Sequence, residues 1–150
     1  MGTRSTITFY RKDKDSTKET PYVRIYQQFD GYLEGVGMEL LDWLDNKTLV
    51  NGISDYRDPD IANGLGCLIA QFIRDFKDEV GGLYIYPVTS DTSLIDYNYD
   101  VVYNPRGDIP GAIREANECF VIRVTYGWGD GQPFFIGTPE ELREYILSRR

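Results

Sequence analysis

The side chains best suited to polar chemistry lie closest together in a glycine-rich tract, residues 30–37. A β-prone segment precedes this tract and an amphipathic segment opens at Met38, which predicts a turn between a strand and a helix. Such a turn can bring backbone N–H groups and the carboxylates of Asp30 and Glu34 into one small volume. The predicted binding residues are Asp30, Tyr32 and Glu34 in the turn, with Arg4 and Tyr26 beside them.

The glycines of this turn allow two interpretations. Gly35-Val36-Gly37 before a helix is typical of a dinucleotide-binding loop, but Leu40 occupies the position of the third glycine. The neighbouring carboxylates would also repel a phosphate. We therefore favour a tight turn in which Gly31, Gly35 and Gly37 adopt positive φ.

A carboxylate cluster is a second candidate site. Asp30 and Glu34 could meet Asp55, Asp58 or Asp60 if the two loops converge, and Mg²⁺ or Ca²⁺ prefers such oxygen ligands. This predicts, as an alternative function, a divalent-metal-dependent hydrolase with Asp30, Glu34 and Asp58 as ligands. Asp58 has a competing interpretation as the N-cap of the helix that follows.

The tyrosines provide a third candidate. The chain has 12 tyrosines in 150 residues, several of them at the period of a strand. The set that could form an aromatic platform is Tyr22, Tyr26, Tyr97, Tyr99 and Tyr103, with Arg4, Arg24 or Arg123 nearby. Such a platform would suit a nucleotide-sequestering protein. The other interpretation is a sheet face covered by helices.

Composition excludes several classes of site. The chain has no histidine, which removes Ser-His-Asp and Cys-His catalysis and His-ligated metals. The two cysteines, Cys67 and Cys119, are predicted to be free thiols, and no cofactor is predicted. A formal net charge of −8 makes a nucleic-acid partner improbable. With no secretory signal and no apolar run near 20 residues, the cytoplasm is the expected compartment and no membrane association is expected.

Period-two and helical patterns predict the elements that position these residues. The predicted strands cover Arg4–Tyr10, Tyr22–Phe29, Leu83–Thr89, Ile95–Tyr103, Phe120–Tyr126 and Phe134–Gly137. The predicted helices open at Met38, at Asp58-Pro59 and at the capping box of Thr138. Strands and helices occur in blocks, which predicts a single α+β domain over residues 1–150 with a mainly antiparallel sheet of about six strands, two longer helices and a C-terminal helix.

Four tracts of the sequence carry a resemblance. They are Met1–Ser5 (MGTRS), Tyr26–Gly37 (YQQFDGYLEGVG), Asn63–Phe76 (NGLGCLIAQFIRDF) followed by Lys77, and Gly82–Pro87 (GLYIYP). Together they resemble a family of small proteins, without an assigned activity, in bacteria, bacteriophages and large DNA viruses. The likeness runs to about Tyr103. A viral or phage setting would favour a host-directed binding role, by analogy alone.

These observations predict a binding or interaction protein that does not catalyse a reaction. Its partner would be another protein or a small polar ligand, and a homodimer is left open. The metal-dependent hydrolase and the nucleotide-sequestering protein stay as alternatives.

Overall fold

The computed structural model describes residues 2–52, 57–105 and 111–149. The strands are β1 (Ser5–Lys12), β2 (Glu19–Gln27), β3 (Thr48–Val50), β4 (Ile61–Asn63), β5 (Leu83–Tyr86), β6 (Tyr97–Tyr103), β7 (Ile113–Glu115), β8 (Phe120–Tyr126) and β9 (Phe135–Gly137). The helices are α1 (Met38–Asp45), α2 (Gly64–Phe76) and α3 (Pro139–Ser148). The mixture of helices with a large sheet confirms the α+β prediction.

The large sheet has six strands in the order β5-β2-β1-β6-β8-β9. The hairpin of β1 and β2 is antiparallel as predicted, while β1 pairs with β6 in parallel. The remaining neighbours in this sheet are antiparallel. A second sheet, in the order β4-β3-β7, was not predicted because each of its strands has only three residues.

Alternation along the central strands separates an apolar face from a polar one. The apolar face contributes buried residues such as Ile7, Phe9 and Tyr99 to one hydrophobic core. The helices contribute the other side of this core, and the ring of Phe72 in α2 meets the ring of Phe9 edge to face at 5.6 Å. Burying each large apolar side chain contributes roughly 1.5–3 kcal/mol, so this face holds the sheet and helices together.

The structure corrects the predicted start of α2. Residues 61–63 form β4, which pairs with β3 in parallel, and the helix begins only at Gly64. The Asp58 carboxylate accepts a hydrogen bond from the backbone N–H of Asp60 at 2.9 Å and does not cap α2. The backbone ladder with β3 therefore outweighs the local N-cap signal of Asp58-Pro59.

The start of α3 agrees with its sequence signal. The Thr138 hydroxyl accepts from the Glu141 N–H at 3.1 Å, and the Glu141 carboxylate accepts from the Thr138 N–H at 2.9 Å. This reciprocal pair is the predicted capping box. None of the helices within residues 2–52, 57–105 and 111–149 is long and apolar enough to cross a membrane.

Candidate functional site

The face of the large sheet turned away from the hydrophobic core, here called the polar face, carries two rows of polar side chains. Each row crosses β2, β1, β6 and β8, because residues in register on neighbouring strands point to the same side. The first row is Tyr26, Thr6, Asn98 and Thr125, and the second is Arg24, Thr8, Asp100 and Arg123. The fold thus collects on one surface groups that are more than a hundred residues apart in sequence.

Three residues of the first row, Tyr26, Thr6 and Asn98, are buried, and the two central ones are hydrogen-bonded to each other. The Thr6 hydroxyl donates to Asn98 Oδ1 at 2.6 Å, and Asn98 Nδ2 donates to the carbonyl oxygen of Thr92 at 3.2 Å. Thr6 is 1% exposed and Asn98 is 8% exposed. These bonds fix the side chains of the row and attach the loop after β5 to the sheet.

The second row has a guanidinium group at each end, with the Thr8 hydroxyl and the Asp100 carboxylate between them. Arg24 Nε donates to the Thr8 hydroxyl at 2.9 Å, and Arg24 Nη1 donates to the Ser90 carbonyl oxygen at 2.6 Å. Arg123 pairs with Glu19 at 2.9 Å and lies more loosely against Asp100, at 3.4 Å. The guanidinium groups are therefore held in place by several partners each, which orders the surface between them.

Asp100 is the carboxylate at the centre of this row. Burial raises its pKa, and the Arg123 guanidinium opposes that rise. The side chain is 25% exposed, and its hydrogen bonds to Arg123 are both long, at 3.4 Å. Asp100 is thus a partly desolvated carboxylate whose nearest cation is better paired elsewhere.

A cavity of about 470 Å³, here called the face cavity, lies over these rows. Its floor includes Thr6, Thr8, Asn98 and Asp100, and its walls come from residues 91–93, 125–127 and 129–131. Gly127 allows the two walls to meet, because a Cβ there would overlap the carbonyl oxygen of Ile95. Only glycine permits such a close backbone approach at that position.

The lining of the face cavity is polar and carries more acids than bases. Within the described ranges, three carboxylates line it, Asp91, Asp100 and Asp130, against the one guanidinium of Arg24. The backbone N–H of Ser93 lowers the pKa of Asp91 by hydrogen bonding to it. A surface of this kind can exchange hydrogen bonds with a neutral ligand and repels an anionic one.

The predicted glycine-rich turn has an anchoring role in the structure. Residues 33–37 form a single π-helical turn that buries Leu33 and Val36. The Tyr99 hydroxyl donates to the Gly31 carbonyl oxygen at 2.7 Å, and the Val36 N–H donates to the Asp30 carbonyl oxygen at 2.8 Å. These contacts fix the turn to the core.

The acidic and aromatic side chains of the turn point outward. Asp30, Tyr32 and Glu34 are exposed, and none of the three lines the face cavity. The backbone of Arg4 packs against Gly31 of the turn, as a Cβ on Gly31 would lie 2.9 Å from the Arg4 carbonyl oxygen. Tyr26 lies on the polar face, directly opposite Thr6. None of the five predicted binding residues therefore lines the face cavity.

The glycines of the turn have a different role from the predicted one. The residue with positive φ is Asp30, at 60°, while Gly31, Gly35 and Gly37 are not in that region. A Cβ on Gly31 would lie 2.7 Å from the Ser5 Cβ, and one on Gly35 would overlap the Asp30 carbonyl oxygen. These two glycines are needed for close packing and not for backbone conformation.

Tyr26 and Arg4 have partners within the polar face. The Tyr26 hydroxyl donates to Gln28 Oε1 at 2.7 Å, and its ring stacks on Tyr86 with centroids 4.8 Å apart. The Arg4 guanidinium reaches the Leu94 carbonyl oxygen and pairs with Asp96 at 3.8 Å. Both residues therefore extend the ordered polar face toward the start of β1.

The two alternative sites do not assemble in the part of the chain that the structure describes. No group of three or more acidic or cysteine side chains there could hold a metal ion, and Asp55 lies outside the described residues. Tyr99 and Tyr103 are buried on the core face, whereas Tyr26 lies on the opposite one. The five tyrosines thus do not form one platform, and the interpretation of a helix-covered face holds for Tyr99 and Tyr103.

The sequence does contain the signal for the polar face. Polar residues alternate with apolar ones at Thr6 and Thr8, at Asn98 and Asp100, and at Arg123 and Thr125. The order of the strands, which the alternation does not specify, decides that these residues become neighbours.

No protein-family model, curated protein or solved structure matches this chain. Its function must therefore be argued from the geometry of the site, and the family resemblance of its sequence stays a prediction.

Proposed function

We propose that this protein binds a small polar ligand in the face cavity and does not transform it. The observation that carries the proposal is the cavity of about 470 Å³ floored by two ordered rows of polar side chains. Pockets that hold small molecules typically have roughly 300–1,000 Å³. The cavity is therefore the right size for a ligand of about the dimensions of a monosaccharide or an amino acid.

Pre-organisation of the floor supports binding. Thr6, Asn98 and the Thr92 carbonyl oxygen form a continuous chain of hydrogen bonds, and Arg24 is fixed by Thr8 and Ser90. A ligand meeting such a surface does not have to order the side chains that contact it, which lowers the entropic cost of binding.

The chemistry of the lining favours binding over catalysis. Covalent catalysis needs a nucleophile activated by a base, and among the described residues no cysteine or lysine lines the face cavity. The most buried acid, Asp100, lies against Arg123. The Ser93 hydroxyl does hydrogen-bond to Asp91, but the pKa of that carboxylate is lowered, so Asp91 is a weak base. The described lining therefore favours hydrogen bonding over covalent catalysis.

The other functions considered from the sequence have less support. A metal-dependent hydrolase would need Asp30, Glu34 and Asp58 together, and the described residues contain no such cluster. A nucleotide would place phosphates among the carboxylates of the face cavity. A protein partner and a homodimer stay predictions, and light scattering after gel filtration measures the second directly.

Amide chemical-shift mapping by NMR tests the proposal. The protein is titrated with a library of small polar molecules that contains sugars, polyols, amino acids, amines and nucleosides. We expect at least one class to give saturable shifts at amides of Thr6, Thr8, Asn98 and Thr125. Shifts confined to residues 30–34, or no saturable shift with any class, would overturn the proposal.

A further inference from the structure

The floor of the face cavity contains a buried hydroxyl group with spare donor capacity. Thr8 is 1% exposed and lines the cavity. Its oxygen accepts a hydrogen bond from Arg24 Nε, and it donates to no group in the described residues. A buried hydroxyl proton without an acceptor is costly, so an acceptor in the cavity would stabilise Thr8.

The same cavity has spare acceptor capacity in two of its carboxylates, Asp100 and Asp130. Asp91 and Asp130 each use Oδ1 to accept a backbone N–H of their own loop, from Ser93 and Gln132 respectively, both at 2.9 Å. Asp100 uses Oδ2 for Arg123. Asp100 and Asp130 therefore each keep one oxygen for a donor on a ligand, whereas Asp91 also hydrogen-bonds to the Ser93 side chain.

The charges around Asp100 determine which kind of hydrogen-bond donor, charged or neutral, a ligand can place there. Arg123 is the neighbour of Asp100 in the second row, and Arg24 lies one strand further, beyond Thr8, with its charge also acting on Asp100. An ammonium group placed on Asp100 would therefore be opposed by two guanidinium groups. An ammonium group also has no lone pair for the Thr8 proton. A phosphate or carboxylate group would meet the three acids. The acids therefore disfavour a phosphate or carboxylate ligand, and the two arginines disfavour an ammonium group at Asp100.

We propose that the ligand of the face cavity is a neutral polyhydroxylated molecule of the saccharide class. A hydroxyl group donates and accepts at once, so neighbouring hydroxyls can give protons to Asp100 and Asp130 and accept the proton of Thr8. Hydrogen bonds from hydroxyls to ionised carboxylates are stronger than bonds between neutral groups. This inference rests on the proposed binding function and names the ligand for that site.

Calorimetric titration with three matched probes tests the ligand class. The probes are methyl glucoside, glucosamine and glucose 6-phosphate, which keep one ring and differ in charge. We expect methyl glucoside to bind saturably. The phosphorylated sugar and the amine should bind at least about tenfold more weakly, which is the change expected when a charge is opposed at a polar site.

Variants connect the binding to the carboxylates. Asp130→Asn removes one acceptor on an exposed loop and should weaken the binding of methyl glucoside several-fold. Asp100→Asn should weaken that binding about tenfold, as loss of a charged hydrogen bond does. Asp42→Asn, an exposed acid on α1, is the matched control and should change nothing. Circular dichroism verifies that each variant is folded.

The outcomes separate this inference from the proposed function. One outcome is that glucosamine or glucose 6-phosphate binds saturably with shifts on the polar face, while methyl glucoside does not bind. That outcome would overturn the neutral saccharide class and keep the binding site. Binding of methyl glucoside that Asp130→Asn and Asp100→Asn leave unchanged would also overturn it. If no probe binds here and no class binds in the NMR mapping, both proposals fail.

Discussion

Two opposing effects, burial and the charge of Arg123, act on the ionised form of Asp100 in the polar face. Its side chain is only 25% exposed, which disfavours its charge, while Arg123 supports that charge from 3.4 Å. Because burial is the larger effect, the pKa of Asp100 is raised. An acid held ionised at a cost in the free protein gains from a ligand that donates to it.

The pH dependence of stability tests this balance. A carboxyl group whose pKa is higher in the folded state lowers the free energy of unfolding as the pH rises from about 3.9, the pKa of an unfolded Asp, through the folded pKa. We therefore expect the stability of the wild-type protein, relative to Asp100→Asn, to fall across that interval. Urea unfolding at a series of pH values measures this difference.

Asp75 provides a control with the opposite sign. Hydrogen bonds from Arg74, and also from Trp43, lower the pKa of Asp75. The stability of the wild type relative to Asp75→Asn should therefore decrease as the pH falls through the acid range, since that carboxylate must be ionised to keep its partners.

For Asp100, the contradicting result is a wild-type advantage over Asp100→Asn that grows with rising pH. That result would show that Arg123 outweighs burial.

Among the elements, the glycine-rich turn and α2 show how differently glycine is used. Gly35 is required because a Cβ would overlap the Asp30 carbonyl oxygen. Gly64 has a φ of 81° and Gly66 has no neighbouring atom within 4 Å of a Cβ position. The two glycines of α2 therefore do not mark a close packing contact.

A pair of alanine substitutions separates these roles. Gly35→Ala should lower the free energy of unfolding by about 1–3 kcal/mol, as over-packing does. Gly66→Ala should raise it by about 0.5–1 kcal/mol, because alanine loses less backbone entropy in a helix. Urea unfolding measures both. Equal effects of the two substitutions, or a stabilised Gly35→Ala, would contradict the packing described for the turn.

Elements with a strong local signal could be predicted from the sequence. The β1–β2 hairpin, the Phe120–Tyr126 strand and the capping box of Thr138 agree with their patterns. The three-residue strands of the small sheet could not be predicted, since they depend on partners elsewhere in the chain. The ladder of β4 with β3 also displaced the predicted start of α2.

At the scale of the whole molecule, strand order creates the candidate site. The parallel pairing of β1 with β6 joins segments about ninety residues apart and places Thr6 beside Asn98 and Thr8 beside Asp100. The sequence shows the polar alternation of each strand but not this pairing, because no short connection links the two strands. For this reason the binding site was predicted in the turn, where polar residues are close in sequence.

The measurement that tests the account most directly compares the polar face with the turn in one titration. The face variant is Thr125→Trp, which puts an indole ring into the face cavity, and the turn variant combines Asp30→Asn, Tyr32→Ala and Glu34→Gln. Both are titrated with the ligand class that binds the wild type in the NMR mapping. The account predicts that the face variant loses saturable binding while the turn variant retains the wild-type dissociation constant. Retained binding in the face variant together with lost binding in the turn variant would contradict it.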